Sequence, residues 1–315
     1  MGAIRHLIAA LALCTCAAVA QAQTYITVLT GGTSGVYYPL GVALSKIYSE
    51  AIPGAKTSVQ ATKASAENLN LLQAGRGEVG FSLGDAVTQA WTGNEEAGFK
   101  QKLDKLRALA AIYPNYIQIV ASKESGIRTL QDLRGKRLSV GAPRSGTELN
   151  ARAVLAAAGL SYADLGKVEY LPFGESVELM KNRQLDATLQ SAGLGVSSIR
   201  DLATNVPIVV VAVPPEVVAK IGDPAYQPAV IPAGTYSGQD QDVPTVAVRN
   251  ILVTHSGVPE EVVYRMTKSM FEHLDELVAA HTAAKGIKLE EATKGLPIPL
   301  HPGAERYYRE VGLIR

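Results

Sequence analysis

Cysteine is almost absent from this chain of 315 residues, since the only two, Cys14 and Cys16, lie in an apolar N-terminal stretch. That stretch begins with the basic residue Arg5, continues as an apolar run over residues 7–19, and ends in small residues up to Ala22. This pattern predicts a secretory signal peptide cleaved after Ala22, because the run is shorter than the roughly 20 apolar residues of a membrane span. We therefore expect a periplasmic mature chain without disulfides or thiolate chemistry.

The chain also has almost no net charge, at +1. The chain has 30 basic and 29 acidic side chains, so loss of Arg5 with the signal peptide leaves 29 of each. A neutral surface disfavours partners with a phosphate backbone, and we expect no nucleic-acid partner. After the predicted signal peptide, apolar runs such as 208–213 have the length of a strand, and none is long enough to span a bilayer.

Patterns typical of enzymes and metal sites are also missing. The glycine-rich stretch 30–35 has neither the Gly-Lys-Ser/Thr of a phosphate-binding P-loop nor the glycine spacing of a dinucleotide-binding turn. No nucleophile elbow, no glutamate pair at acid/base spacing and no cysteine nucleophile occurs. Four histidines follow the signal peptide without metal-ligand spacing: His255, His273, His281 and His301. We therefore predict binding without catalysis, and no cofactor or metal.

Two strand–turn–helix segments are the most informative feature that is present. The turn 30–35, rich in glycine and hydroxyl groups, lies between a predicted strand, Tyr25–Leu29, and a predicted helix, Pro39–Glu50. Such a turn presents unpaired N–H groups and the positive end of a helix dipole, which together bind a carboxylate or phosphate. The segment 140–148 repeats this chemistry. Two such turns predict two lobes that close on one small acidic ligand.

The rest of the chain alternates strands with amphipathic helices, which predicts an α/β fold with mostly parallel sheets flanked by helices. The predicted strands are 26–29, 79–83, 117–121, 138–140, 187–190, 208–213 and 245–253. The segments 68–83 and 177–190 both indicate a helix end, a polar turn, an acidic residue and a strand, although unrelated α/β units often share this similarity. Each lobe is therefore expected to repeat anion turn, helix, strand, helix, strand.

The lobes are expected to be joined by two crossings, which form a hinge. We place the first crossing at Tyr113 and the return in the Pro-, Gly- and Tyr-rich stretch 224–242. The predicted division is lobe I from residues 23–113 and 232–315, and lobe II from residues 114–231.

The candidate ligand contacts lie at the ends of the predicted strands. Arg144 is expected to pair with a carboxylate, or to be an exposed charge on the rim. Ser65 and Ser145 face the anion or only cap their helices, and Asp85 accepts an ammonium group or caps a turn. Gln190 and Ser191 are expected to hydrogen-bond the middle of the ligand, or to form a turn at the strand end. Tyr236 is expected to close the site, or to be a packing residue. The predicted ligand-binding residues are Gly32, Thr33, Ser34, Tyr37, Ser65, Asp85, Arg144, Ser145, Gly146, Thr147, Gln190 and Tyr236.

Four ordered motifs strongly resemble the TAXI family, the TRAP-associated extracytoplasmic solute-binding proteins. These motifs cover residues 30–41, 65–69, 135–148 and 231–239. The resemblance implies a two-lobed type II periplasmic-binding-protein fold, and as membrane partner the permease subunits of a TRAP transporter, driven by ion gradients. It also implies glutamate, glutamine or a dicarboxylate such as 2-oxoglutarate as ligand.

The family's ligand loops fall on two sets of residues in this sequence, Gly32, Thr33, Ser34 and Tyr37, and Ser145, Gly146 and Thr147. The chain departs from the family at Arg144, where glycine is usual, and in the turn 192–195. Both changes lie at the expected cleft, so the family's ligand need not carry over unchanged.

We therefore predict a monomeric protein that captures a small carboxylate and delivers it to a permease. A periplasmic sensor that presents the solute to a membrane histidine kinase, without transport, is the alternative, since the docking face lies outside the motifs. A hydrolase or transferase on the same fold is disfavoured by the missing catalytic residues.

Overall fold

The computed structural model describes residues 23–315, so the predicted signal peptide lies outside the described residues. Its strands are β1 (Thr24–Leu29), β2 (Ala55–Gln60), β3 (Val79–Leu83), β4 (Leu106–Ser122), β5 (Arg137–Ser139), β6 (Lys167–Glu169), β7 (Ala187–Ala192), β8 (Ile208–Val211), β9 (Tyr226–Ile231) and β10 (Val243–His255). Its α-helices are α1 (Tyr37–Ala51), α2 (Ser65–Gln73), α3 (Gly84–Thr92), α4 (Gly146–Ala157), α5 (Phe173–Lys181), α6 (Ser197–Asn205), α7 (Pro215–Ile221), α8 (Glu260–Glu272), α9 (Leu274–Ala280) and α10 (Pro302–Glu310).

The strands form one mixed sheet in the order β2-β1-β3-β10-β4-β7-β5-β6, in which β8 also pairs with β4 and β9 with β10. The outer strands pair in parallel, as the sequence predicts: β1 with β2 and β3, and β5 with β6 and β7. Every antiparallel pair includes β4 or β10. The sheet is therefore less parallel than predicted, because these two long strands run through its middle.

Two segments of the chain share one layout. The N-terminal unit, residues 24–92, has the order β1-α1-β2-α2-β3-α3, and the central unit, residues 137–205, has the order β5-α4-β6-α5-β7-α6. The first strand lies between the other two in each unit, giving β2-β1-β3 and β6-β5-β7. This confirms the predicted repeat of turn, helix, strand, helix, strand. Because the turns follow β1 and β5, they lie at the carboxyl ends of parallel strands, where α/β folds bind ligands.

Local contacts fix the position of the helix that follows each turn. Helix α1 packs closely on β1 because residue 41 is glycine: a Cβ there would lie 2.3 Å from Thr30 Cγ2. The predicted cap of α4 is confirmed, since Ser145 Oγ accepts a hydrogen bond from the Glu148 N–H at 3.1 Å. The Glu148 carboxylate binds Arg152 and Tyr162 instead of closing a capping box.

Helices cover both faces of the sheet and bury two hydrophobic core clusters, one on each face. One face packs against α1, α5, α6, α8, α9 and α10, and the other against α2, α3, α4 and α7. The C-terminal helices α8 and α9 also contact α1, so the end of the chain returns to the N-terminal unit. Within residues 23–315, no helix combines the length and apolar character needed to cross a bilayer.

Candidate functional site

A cleft lies between the N-terminal and central units. Its cavity volume is about 100 Å³, below the ~300–1,000 Å³ typical of pockets for drug-sized ligands, so it suits a small metabolite. The lining residues are Gly31, Gly32, Gly35, Val36, Tyr37, Thr62, Lys63, Ala64, Ser65, Leu83, Asn115, Ala142, Ser145, Gly146, Thr147, Pro172, Phe173, Ser191 and Ala192.

Four helices begin at this cleft. The cap and first residue of each line it, as the pairs Val36–Tyr37 of α1, Ala64–Ser65 of α2, Ser145–Gly146 of α4 and Pro172–Phe173 of α5. The first N–H groups of a helix have no partner within the helix, and they carry its positive dipole end. Only α4 has a side-chain cap among the four, so most of these donors are free for a bound group.

The cleft is electrostatically positive although it contains few charged groups. Lys63 is the only charged side chain among the lining residues, which include no Asp, Glu, His or Arg. Its hydroxyl groups are partly fixed: Ser65 Oγ accepts from the Leu83 N–H at 3.1 Å, and Tyr37 OH donates to Asn250 Oδ1 at 2.5 Å. Burial raises the pKa of Tyr37, which therefore stays a neutral donor. This environment favours an anion.

A chain of buried hydrogen bonds links the cleft to both units. Asn250 receives the Tyr37 hydroxyl and donates through Nδ2 to Asn115 Oδ1 at 2.9 Å. Asn115 Nδ2 donates to the Ser191 carbonyl at 3.0 Å, and Ser191 Oγ donates to Asn150 Oδ1 at 2.7 Å. The chain thus passes from α1 through β10, β4 and β7 to α4, which fixes the side chains at the cleft floor.

Asp85 ends this network away from the cleft. It is 0% exposed, and its Oδ2 accepts from Asn150 Nδ2 at 2.8 Å and from Tyr226 OH at 2.6 Å. Burial raises the pKa of Asp85 to about 6, because removal from water disfavours the charged form. Asp85 therefore joins the N-terminal unit to α4 and β9.

The profile of the NMT1-like family matches residues 28–312. The chain belongs to the NMT1-like family. This family corresponds to the TAXI-type TRAP solute-binding proteins, so the resemblance predicted from four motifs is confirmed. The protein is accordingly an extracytoplasmic solute-binding protein of a transporter, and it is not an enzyme.

Solved structures agree with this fold at low sequence identity. MatC from Rhodopseudomonas palustris, with bound malate, is 11% identical with a TM-score of 0.60, over 91% of this chain and 96% of MatC. The periplasmic binding protein BugD is 12% identical with a TM-score of 0.59, over 92% and 94%. The alkanesulfonate-binding protein SsuA from Xanthomonas axonopodis pv. citri, bound to MOPS, is 15% identical with a TM-score of 0.51, over 91% and 83%. They confirm the predicted two-lobed type II periplasmic-binding-protein fold.

Six of the twelve predicted ligand residues line the cleft of this NMT1-like protein. They are Gly32, Tyr37, Ser65, Ser145, Gly146 and Thr147. They come from both strand–turn–helix segments and from the start of α2. The structure therefore places at one cleft the residues that the sequence predicts to share a site. Whether they contact a solute stays a prediction.

Six other predicted residues lie outside the lining set. Thr33 is exposed at the tip of the first turn, and the Ser34 carbonyl accepts from Ser197 Oγ at 2.9 Å. Gln190 points to α6, where its Oε1 accepts from Ser198 Oγ at 2.6 Å. Side chains alternate along a strand, so its neighbour Ser191 reaches the cleft instead.

Asp85 and Tyr236 are used inside the fold. Asp85 binds Tyr226 and Asn150, and the Tyr236 hydroxyl donates to Gln118 and accepts from the Gly195 N–H. Asp85 Oδ2 and the Tyr236 hydroxyl therefore bind protein groups, while Asp85 Oδ1 is buried without a hydrogen-bond partner among the described residues. Neither residue is among those that line the cleft.

Arg144 is exposed and lines a separate surface groove. Its φ of 60° lies in the left-handed region, which costs a residue with a Cβ about 1–2 kcal/mol. The glycine usual here by resemblance adopts this conformation without strain. Glycine thus suits the backbone, and arginine adds a charge at some expense of stability.

Several lining residues escaped the sequence reasoning. Pro172 and Phe173 begin α5 of the central unit at the position that Ala64 and Ser65 occupy at α2. Both residues could have been predicted from the internal repeat, because they are the counterparts of Ala64 and the predicted ligand residue Ser65. Asn115 lies in the middle of β4, and no motif distinguishes it in the sequence.

We expect the substitution Gly146→Ala to weaken solute binding. A Cβ at residue 146 would lie 2.5 Å from Ser65 Oγ and 2.6 Å from Leu83 Cδ1, both of the N-terminal unit. Overpacking of this kind costs about 1–3 kcal/mol, which predicts a rise in Kd of roughly tenfold. Calorimetry with a carboxylate that the unsubstituted protein binds measures the effect.

The matched control for this substitution is Gly174→Ala in α5. Its added Cβ would meet Ser34 Oγ at 3.4 Å, an ordinary contact between the same two units. We expect its Kd to stay within about twofold of the original. Equal affinities for both variants would mean that residue 146 does not limit the approach of the two units.

We expect Asp85→Asn to remove a pH dependence of stability. The folded-state pKa is raised from 3.8 to about 6, so the folded protein binds more protons than the unfolded chain between these values. The unsubstituted protein therefore loses stability as the pH rises from about 4 to about 6, by roughly 3 kcal/mol. The variant keeps an oxygen for Tyr226 and Asn150 without a charge. Its Tm should exceed that of the original above about pH 6.

Asp132→Asn provides the control of opposite sign. Hydrogen bonds from the Arg128 and Thr129 N–H groups lower the pKa of Asp132, whose carboxylate stabilises the protein until the pH falls through its folded-state pKa. This variant should lose Tm at neutral pH. A change in Tm for Asp85→Asn that is equal at acid and neutral pH contradicts the assignment.

Proposed function

We propose that this protein captures a small carboxylate in the cleft between its two units and delivers it to a TRAP-type, ion-driven permease. The observation that carries the proposal is the convergence of four helix N-termini on one cavity whose only charged lining group is Lys63. Free N–H groups at helix N-termini bind anions without a dedicated cationic side chain. The coarser role, solute binding for a transporter, follows from the family.

Closure supplies the free energy of this capture. Transfer of an unpaired carboxylate out of water costs several kcal/mol of free energy. Its oxygens therefore need nearly complete hydrogen bonding in the cleft. Helices α1 and α2 supply donors from one side and α4 and α5 from the other, so neither unit alone completes the shell. A micromolar Kd corresponds to about −8 kcal/mol, which two charge-assisted groups of donors are able to supply.

The lining favours a dicarboxylate such as 2-oxoglutarate over glutamate or glutamine. The ammonium group of an amino acid needs an acidic partner, and no Asp or Glu is among the lining residues. Asp85, the predicted partner, is occupied by Tyr226 and Asn150. The malate bound to MatC, a protein of similar fold, is also a dicarboxylate.

The apolar part of the lining suits the carbon chain of such an acid. Val36, Leu83 and Phe173 lie among the lining residues, where they exclude water from the methylene groups of a bound solute. Two pairs of helix N-termini on opposite walls would then each receive one carboxylate. This arrangement supports the choice of a dianion.

We further propose that the lobes divide within β4 and β10. Residues 106–116 of β4 pair with β10, with a register shift opposite residues 112–113, and residues 116–121 pair with β7. The irregularity and the change of partner both lie close to the predicted boundary at residue 113 and support it. Residues 243–248 of β10 pair with β9, which favours a second crossing later than the predicted residue 232. The continuous strands would act as the hinge of a monomeric, periplasmic protein.

The test is calorimetry with protein that has been unfolded, dialysed and refolded, so that no co-purified solute remains. We expect micromolar Kd values for 2-oxoglutarate or C4 dicarboxylates, and values at least about tenfold weaker for glutamate and glutamine. Absence of binding to every acidic solute would remove the proposal. Glutamate binding tighter than 2-oxoglutarate would reverse the ligand order.

Transport is tested separately with proteoliposomes that contain the cognate permease. Uptake of the bound solute should require this protein and an ion gradient, and should not require ATP. Solute binding without uptake, together with stimulation of a membrane histidine kinase, would instead favour the sensor role.

A further inference from the structure

A second concave surface lies beside the cleft. We call it the basic groove and define it by Lys63, Lys100, Lys105 and Arg144, which line it together with the single acidic residue Glu67. Its cavity volume is about 660 Å³, larger than that of the cleft, and it shares Lys63 with the cleft. Solute-binding chemistry does not account for it, because the cleft is complete without the other three cations.

The cations of the basic groove have no acidic partners. None of the four forms an ion pair with an acidic side chain among residues 23–315. The carboxylate of Glu67 accepts the Lys63 backbone N–H at 2.6 Å, and therefore holds the start of α2. Four cations around one acid on a nearly neutral protein form a local positive field that attracts an anionic partner.

The groove draws its charges from both units. Lys63 precedes α2, and Lys100 and Lys105 follow α3, whereas Arg144 belongs to the turn before α4. A Cβ placed on Gly98 would lie 3.9 Å from Arg144 Cγ, so the arginine side chain packs beside Gly98. The full charge set is therefore present only when the two units lie together.

We propose that the basic groove is a docking surface for an acidic segment of the transporter's membrane subunit, and that it is complete only in the closed, solute-loaded protein. This inference rests on the proposed function. The volume of the groove, about 660 Å³, and the exposure of Lys100, Lys105 and Arg144 fit an extended acidic peptide, which is able to contact several of these cations at once. Complementary charge of this kind raises the association rate and selects the partner.

The first experiment uses a fluorescent octaglutamate peptide and fluorescence anisotropy. The peptide should bind the solute-loaded protein more tightly than the empty protein, and the affinity should fall as salt rises from about 50 to 200 mM. The double variant Lys100→Glu with Lys105→Glu should weaken peptide binding at least about tenfold. The matched control, Lys56→Glu with Lys220→Glu, makes the same charge change at exposed lysines outside the groove and should keep binding within about threefold.

Calorimetry of the solute with both double variants separates this inference from the proposed function. Unchanged solute affinity with lost peptide binding supports the groove, and peptide binding that is equal in the two double variants overturns it. Inorganic phosphate and vesicles of phosphatidylglycerol and phosphatidylcholine in equal parts test the other anions. Displacement of the peptide by millimolar phosphate, or groove-dependent binding to the vesicles, would assign the surface to a small anion or a membrane and overturn the proposal.

The decisive measurement uses proteoliposomes with the cognate permease. The groove variant should raise the protein concentration that gives half-maximal uptake at least about tenfold, while the control should not. Equal half-maximal concentrations for the two variants would overturn the docking assignment even if solute binding and transport are intact.

Discussion

The approach of two sets of helix N-termini across one gap is the constraint on which this structure depends. Helices α1 and α2 begin on one side of the cleft, and α4 and α5 begin on the other. Aligned dipoles whose positive ends point at one another repel unless something negative lies between them. An anionic ligand between the helix ends therefore stabilises this arrangement. The cleft leaves that position to a ligand because no acidic side chain is among its lining residues.

The interior of the protein supports this arrangement with neutral polar groups. Asn115, Asn150 and Asn250 each bridge two elements, so the cleft floor is tied to both units by amides whose oxygen and nitrogen atoms each have a protein partner. Buried amides that are satisfied hold their neighbours in place because any shift breaks several hydrogen bonds at once. Asp85 is the single carboxylate in this chain of bonds. Its pKa is raised because burial makes the charged form unfavourable.

The sequence was sufficient for the features set by local chemistry. The glycine-rich turn, the Ser145 cap and the repeated order of turn, helix and strand depend on neighbouring residues, and the structure confirms all three. Motifs spread along the chain were sufficient to identify the family. The predicted strand 117–121 was only the end of β4, because its first half lies among alanines whose role depends on tertiary packing.

What the sequence did not provide is the direction of individual side chains. Gln190 and Ser191 are neighbours of similar polarity, and only the register of β7 decides that Ser191 faces the cleft. Arg144 lines an adjacent surface groove and not the cleft, which residue type alone does not indicate. Asp85 has partners 65 and 141 positions away along the chain, so its role was beyond any local pattern.

Most donors at the cleft are peptide N–H groups, and this has an evolutionary consequence. Except at proline, a peptide N–H is present whatever the side chain, so most substitutions keep the positive character of the site while they change the shape of its walls. This chain and MatC share one architecture at 11% identity. Selectivity for the solute then depends on the side chains that set the shape of the cleft, while the backbone N–H groups around it are retained.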